Sequence, residues 1–301
     1  MEVIAVYDEK IVTTGICQGK LFLFIMELLK KDYSFKKALY LGAGDSFAIH
    51  SIEVFNDAVY MTDSFNNKIY KFDSVNNFFE TNVGRDPRHM CTDKDNIYVA
   101  NFESDNISII ELDSFTLTGS LPAGIKAHDV IYSEKNKSLY TTCYEENEVL
   151  EYSIDNGIRR RFKTDGKPMH IFVLDDTIIV MTYYVNGIVQ TKINFINLSN
   201  KEIEDTIDID GLASDFLLDY ENNMLYIINI VDKSLYIADS LLRKIIKKIY
   251  LGGYPESISC GSKNIYVTNS KKQQIDIIEK QGHNISTLKL MFTPGLIKII
   301  P

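Results

Sequence analysis

Arg85–Gly124, RDPRHMCTDKDNIYVANFESDNISIIELDSFTLTGSLPAG, is the stretch whose reading decides the fold. Four short β-type runs, HMCTD, NIYVAN, NISIIEL and TLTGSLPA, are separated by polar turns, and the segment closes on Gly124 where a similar block begins. Glycines at Gly44, Gly84, Gly124, Gly166, Gly211, Gly253 and Gly295 mark seven such units, spaced 40 to 45 residues apart. The second run is the most recognisable in each: KIVTTG from Lys10, AVYMTD from Ala58, NIYVAN from Asn96, SLYTTC from Ser138, TIIVMT from Thr177, MLYIIN from Met224 and NIYVTN from Asn264.

The first runs, VIAVYD, SIEVF, HMCTD, DVIYS, IFVLD, DFLLD and SISCG, are short and apolar, which predicts strands buried near a central axis. The third and fourth runs are more polar and alternate better, which places them toward a rim where one face meets water. Four antiparallel strands cannot bury their own two faces, whereas seven such units packed radially can. The expectation is therefore all-β: one seven-bladed β-propeller of four-stranded antiparallel blades. The repeats run over 1–45, 46–84, 85–124, 125–166, 167–211, 212–253 and 254–295, with 296–301 as a closing strand. A β-sandwich needs no internal repeat, and the turns of a β-helix are shorter.

Composition agrees and narrows the partners. Apolar residues make up 45% of the 301, with 18 Tyr, 16 Phe and no Trp, and Ile and Val are frequent, which favours strands. The net charge of -9 repels a phosphate backbone, so nucleic acid is excluded as a partner. MEVIAVYDEK lacks the basic and apolar pattern of a secretory signal, and LFLFIMELL (21–29) is too short and too charged at its end to span a bilayer, so no membrane span and a cytoplasmic location are expected. Cys17, Cys91, Cys143 and Cys260 form no CxxC pair and read as buried, reduced thiols.

With NIYVTN (Asn264–Asn269) and NIYVAN (Asn96–Asn101) preceded by an apolar run and followed by a terminal glycine, the chain resembles the YVTN family of seven-bladed propellers over nearly its whole length. The resemblance implies the fold and leaves the function open, because that family and its relatives include scaffolds, surface-layer proteins and enzyme-associated domains. One departure concerns closure. The first unit reads as complete from Val3, yet LIKII (Leu296–Ile300) follows Gly295 where another first strand would begin. That segment either lines the inner edge of the first blade or pairs beside Val3–Tyr7, and in both cases it helps to close the ring.

Connections into each first strand open on the same face as the turns after the second run. His50, His89, His128 and His170 fall in these entry segments, one in each of units two to five, and Asp215 and Glu256 stand nearby in units six and seven. A partial ring of imidazoles and carboxylates suits a divalent metal or an anion. Counted back from the second run, His89 and His170 share one register while His50 and His128 lie one residue earlier. Alternation along a regular strand then lets at most one pair converge, and a histidine here can simply bond between blades. Arg88, with Lys126 and Lys167, adds cationic groups able to hold a small carboxylate or phosphate ester. The turns after the second run carry Phe102, Glu103, Asp105, Tyr144, Glu145 and Glu146, a mixture of aromatics and acids that suits a protein or peptide partner.

No GxSxG, P-loop, HExxH or strand-linked GxGxxG occurs. The leading expectation is a non-enzymatic platform for a protein or peptide partner, with no cofactor required and a divalent metal as the one to look for. The alternative is a metal-dependent lyase or hydrolase with its site at the channel mouth.

Overall fold

The structure, a computed structural model, describes residues 9–29, 32–73, 77–153 and 157–300. Within them lie seven antiparallel sheets of four strands each. The opening stretch is one whole blade, with strands Pro87–Thr92, Asn96–Asn101, Asn106–Glu111 and Thr116–Pro122 in sequential order. Innermost strands touch their neighbours in cyclic order: Ile49–Phe55, Pro87–Thr92, Ala127–Ser133, Lys167–Leu174, Ala213–Asp219, Pro255–Cys260, Thr293–Ile300 and back to Ile49–Phe55. The result is a seven-bladed β-propeller around a central channel. Among the described residues no helix is long and apolar enough to cross a membrane.

The core lies between neighbouring sheets, because each sheet is apolar on both faces. Met181, Ile193 and Phe195 of the fifth blade meet Phe216, Leu225 and Ile227 of the sixth, all at most 3% exposed. Tyrosine at the third position of the second run explains part of the signature. Tyr60, Tyr98, Tyr140, Tyr226 and Tyr266 are essentially fully buried between blades, and Val12 and Ile179 fill that place in the two blades without it. The expectation for the third strands needs correction. Gln274–Glu279 and Glu148–Ser153 are buried almost throughout, sandwiched between adjacent blades, while fourth strands such as Phe78–Asn82 stand out in water.

Closure is made by the other end of the chain. Thr293–Ile300 pairs antiparallel with Lys10–Cys17, so the LIKII segment is the inner strand of the first blade. The expected strand at Val3–Tyr7 lies outside the described residues.

One irregularity repeats in all seven blades and positions everything in the channel. Between Ile49 and Ser51, Pro87 and Met90, Ala127 and Val130, Pro168 and Ile171, Ala213 and Asp215, Pro255 and Ile258, and opposite Thr13/Gly15 in the closing strand, the register slips. Two inner-strand residues then oppose one residue of the second strand, which is a β-bulge. In four of the blades a threonine at the fifth position of the second run secures it. Thr62 Oγ1 accepts from the Ser51 N–H at 3.1 Å, Thr142 from Asp129 at 2.9 Å, Thr268 from Ser257 at 3.1 Å and Thr14 from Leu296 at 2.9 Å. The sixth residue ties the blade to the glycine that precedes it. Asn269 Nδ2 donates to the Gly252 carbonyl at 2.9 Å, and Gly253, at φ +65, leaves no room for a Cβ beside Asn269 Oδ1. The YVTN-like signature is thus a set of fasteners for the entry bulge.

Candidate metal centre

The bulge brings residues from both sequence registers to the channel. His50, Arg88, His128, Met169, Ser214 and Glu256 occupy its first position in blades two to seven, and Ser51, His89, Asp129, His170, Asp215 and Ser257 its second. Strict alternation does not hold across a bulge, so the expectation that at most one histidine pair converges is overturned. Ring centroids of His50 and His89 are 5.0 Å apart, His89 and His128 5.1 Å, His50 and His128 5.4 Å, His128 and His170 5.2 Å, and His89 and His170 4.5 Å.

Two overlapping triads offer metal-ligating atoms within 4.8 Å of one another: His50, His89 and His128, and His89, Asp129 and His170. Nitrogens sharing one ion at bonds of about 2.0–2.1 Å lie no more than about 4 Å apart, so the first triad closes on an ion with a modest rotation of its rings. His50 Nδ1, His89 Nε2 and His128 Nδ1 are buried without a hydrogen-bond partner. A buried polar atom left unpaired costs about 1–3 kcal/mol, and three of them on converging imidazoles mark a place shaped for a ligand.

Electrostatics separates the four rings. Burial, followed by the charges of Arg88 and His170, holds His50 down to about 3. Burial with the neighbouring imidazoles drives His89 and His128 well below the ordinary histidine value. Burial thus favours the neutral form of all three, the form in which imidazole ligates a metal. His170 goes the other way: burial pulls it down, but the Asp129 carboxylate, at 3.6 Å from Nδ1, and then Asp215 raise it above its ordinary value. Asp129 is itself fixed, accepting the Val130 N–H at 2.8 Å and the Ile171 N–H at 3.2 Å across the blade boundary.

His50, His89 and His170 line a cavity of about 170 Å³. Its lining includes apolar Ile131, Phe172 and Leu217 and polar Ser51, Glu53 and Lys298. Lys298 donates to Glu53 at 2.9 Å; burial works against its charge, but Glu53, Asp215 and Asp129 raise its pKa. Asp215 accepts the Ile258 N–H at 3.3 Å, and burial raises it. Glu256 is likewise raised by burial but does not join either triad.

The acidic turns stand on the mouth side and are engaged within the protein. Glu145 pairs with Lys167 at 2.7 Å and Lys126 at 3.9 Å, Glu103 with Lys126 at 3.8 Å, and Asp105 Oδ1 accepts the Lys126 N–H at 2.7 Å. Glu146 Oε2 accepts from the Ile125 N–H at 3.1 Å. Phe102 and Tyr144 lie 5.8 Å apart, with Arg88 over Phe102 at 4.8 Å and Lys167 over Tyr144 at 4.5 Å. Lys126 and Lys167 are therefore partners of these turns. Of the cysteines, Cys143 alone is fully buried, whereas Cys17, Cys91 and Cys260 are half-buried.

Sequence reasoning missed Asp129, Ser51, Glu53 and Lys298. Asp129 was recoverable, since a bulge presents both residues of a His–Asp dipeptide to the channel. Lys298 was not, because its position depends on how the ring closes.

No protein-family model and no curated protein matches the chain. Among solved structures it is similar to a functionally unknown protein from Desulfotomaculum acetoxidans, with a TM-score of 0.74 and 11% identity over 97% of this chain and 98% of that one. It is similar to a putative 6-phosphogluconolactonase from Bacteroides uniformis, at TM-score 0.72 and 14% identity over 97% and 100%. A third is the virginiamycin B lyase of Staphylococcus aureus, at TM-score 0.67 and 14% identity over 81% and 85%. At such identities the likeness concerns the fold, which hosts many unrelated chemistries.

Proposed function

We propose that the protein is a metal-dependent propeller in which His50, His89 and His128 hold one divalent transition-metal ion at the channel, serving hydrolysis or elimination on a small molecule. The observation that carries this reading is the convergence of three imidazoles, each of which also has a buried nitrogen without a hydrogen-bond partner. A nitrogen-only set favours Zn²⁺, Co²⁺ or Cu²⁺ over Mg²⁺ or Ca²⁺. Three protein ligands leave a coordination position for a substrate group, and an ion there supplies Lewis acidity. His170, oriented by Asp129, stands beside His89 to exchange a proton with that group. Recruitment of a basic protein by the acidic turns is less well supported, because Glu103, Asp105, Glu145 and Glu146 already have partners.

The test is metal uptake. Protein stripped with chelator and titrated with Co²⁺ should take up one ion per chain and develop a visible d–d spectrum. His89→Ala should abolish uptake, and His283→Ala, distant in sequence from the cluster, should not. A folded wild-type protein that takes up no ion would sink the reading.

A further inference from the structure

The first bulge position holds more than imidazoles. In blades two, three and four it presents His50, Arg88 and His128 in succession, with Ser214 at the equivalent place in blade six. Arg88 Nε and Ser214 Oγ are buried without a hydrogen-bond partner. The rest of the Arg88 guanidinium is engaged: Nη2 donates to Asp86 Oδ2 at 2.7 Å, and the group lies 4.8 Å from the Phe102 ring centre. Unpaired imidazole nitrogens call for a cation, whereas an unpaired guanidinium N–H beside them calls for an anion.

Building on the metal reading, we infer that the centre takes a small monocarboxylic acid. One carboxylate oxygen occupies the ion's remaining position and the other accepts from Arg88 Nε, with the Ser214 hydroxyl as a second donor. Two-point capture by one ion and one guanidinium N–H matches the two oxygens of a carboxylate. Charge selects a singly charged group. Glu53 matches Lys298 and Asp86 matches Arg88, and Asp129 and Asp215 already offset a divalent ion, so each negative charge on the ligand is unmatched and a dianion would leave twice the buried excess of a monoanion. The acid's chain has a place to go, since the cavity that His50, His89 and His170 line also has Ile131, Phe172 and Leu217 in its lining. Its volume of about 170 Å³ limits the ligand to a short chain.

The experiment titrates Co²⁺-loaded protein with propionate and, separately, inorganic phosphate, following the visible Co²⁺ spectrum. Propionate should perturb the spectrum saturably and bind more tightly than phosphate. Arg88→Ala and Arg88→Lys should each keep one bound Co²⁺ yet weaken propionate by about tenfold or more, the loss of one charge-assisted hydrogen bond; Ser214→Ala should weaken it less. Absence of a propionate response, tighter binding of phosphate, or wild-type affinity in both Arg88 variants would overturn the inference while leaving the metal reading intact. A wild-type protein that binds no Co²⁺ would overturn both.

Discussion

Thr62 donates its hydroxyl proton to the Arg88 carbonyl oxygen at 2.6 Å, across the boundary between the second and third blades. Thr62 Oγ1 in turn accepts the Ser51 N–H at 3.1 Å, so one side chain fastens the bulge that carries His50 and Ser51 and ties it to the bulge that carries Arg88 and His89. Thr142 repeats the arrangement, accepting from Asp129 and donating to the Met169 carbonyl at 2.8 Å. Thr62→Val keeps the volume and removes both bonds, leaving the Ser51 N–H and Arg88 carbonyl without that partner. It should cost about 2 kcal/mol, seen as a lower urea midpoint at unchanged slope. An unchanged midpoint would show that the bulge needs no fastener, as Ala100, Met181 and Ile228 already dispense with one in other blades.

Gly253 tests the other half of the signature. Its φ of +65 is costly for a side chain, and a Cβ would press into Asn269 Oδ1, which accepts the Tyr254 N–H at 2.9 Å. Gly253→Ala should destabilise by about 2 kcal/mol. Gly282→Ala, at φ +80 in an open turn with only Asn284 nearby, should cost less, about 1 kcal/mol. Equal effects in thermal unfolding would refute the role given to the blade-closing glycine.

Lys280 reaches Asp219 at 2.8 Å with side-chain exposures of 10% and 4%, joining the seventh blade to the sixth. Lys280→Met strands a buried carboxylate and should cost about 3 kcal/mol near neutrality. Burial pushes Asp219 up, but Lys280 and Asn222 hold it below its ordinary value; Lys280, lowered by burial, is raised overall by Asp219 and Cys260. The carboxylate contribution is therefore present above the unfolded value of about 4 and lost as pH falls through the lower folded one. The ammonium contribution is present below about 10.4 and lost as pH rises through the higher folded value. The stability gap between wild type and variant should be flat from about pH 5 to 9 and narrow toward pH 3 in urea titrations. A gap that widens in acid would contradict the assignment.

Ring closure makes the fourth prediction. A chain ending at Phe292 would lose Ile297, which is 1% exposed, and uncover the full length of Lys10–Cys17 as an edge. Size-exclusion chromatography should show self-association through that edge and a broadened melt. A monomer melting like the full chain would mean that Thr293–Ile300 is ornamental.

Repeat length, turn residues and two-sided apolar strands were sufficient to read the blades, because each is a local property of some 40 residues. The site was only half legible. Residue type and entry position singled out His50, His89, His128 and His170, but whether they meet depends on a bulge, and a bulge is a pairing fact between two strands rather than a pattern within one. Thr62, Thr142 and Thr268 carried that information in their side chains. Their meaning emerges only when the N–H groups of Ser51, Asp129 and Ser257 are seen to point at them.

The closing strand gives the channel a history as well as a shape. The bond from the Leu296 N–H to Thr14 joins residues 282 apart in sequence, and Lys298 reaches Glu53 across 245. Contacts so remote carry the largest loop-closure cost and form late. Blades two to six can therefore condense while the channel still lacks Lys298 and stands open on one side. Whatever ligand the histidines take would meet a gap in the wall before it meets a finished pocket, so occupancy of the channel and completion of the ring are coupled events, and a bound ligand would slow the ring's reopening.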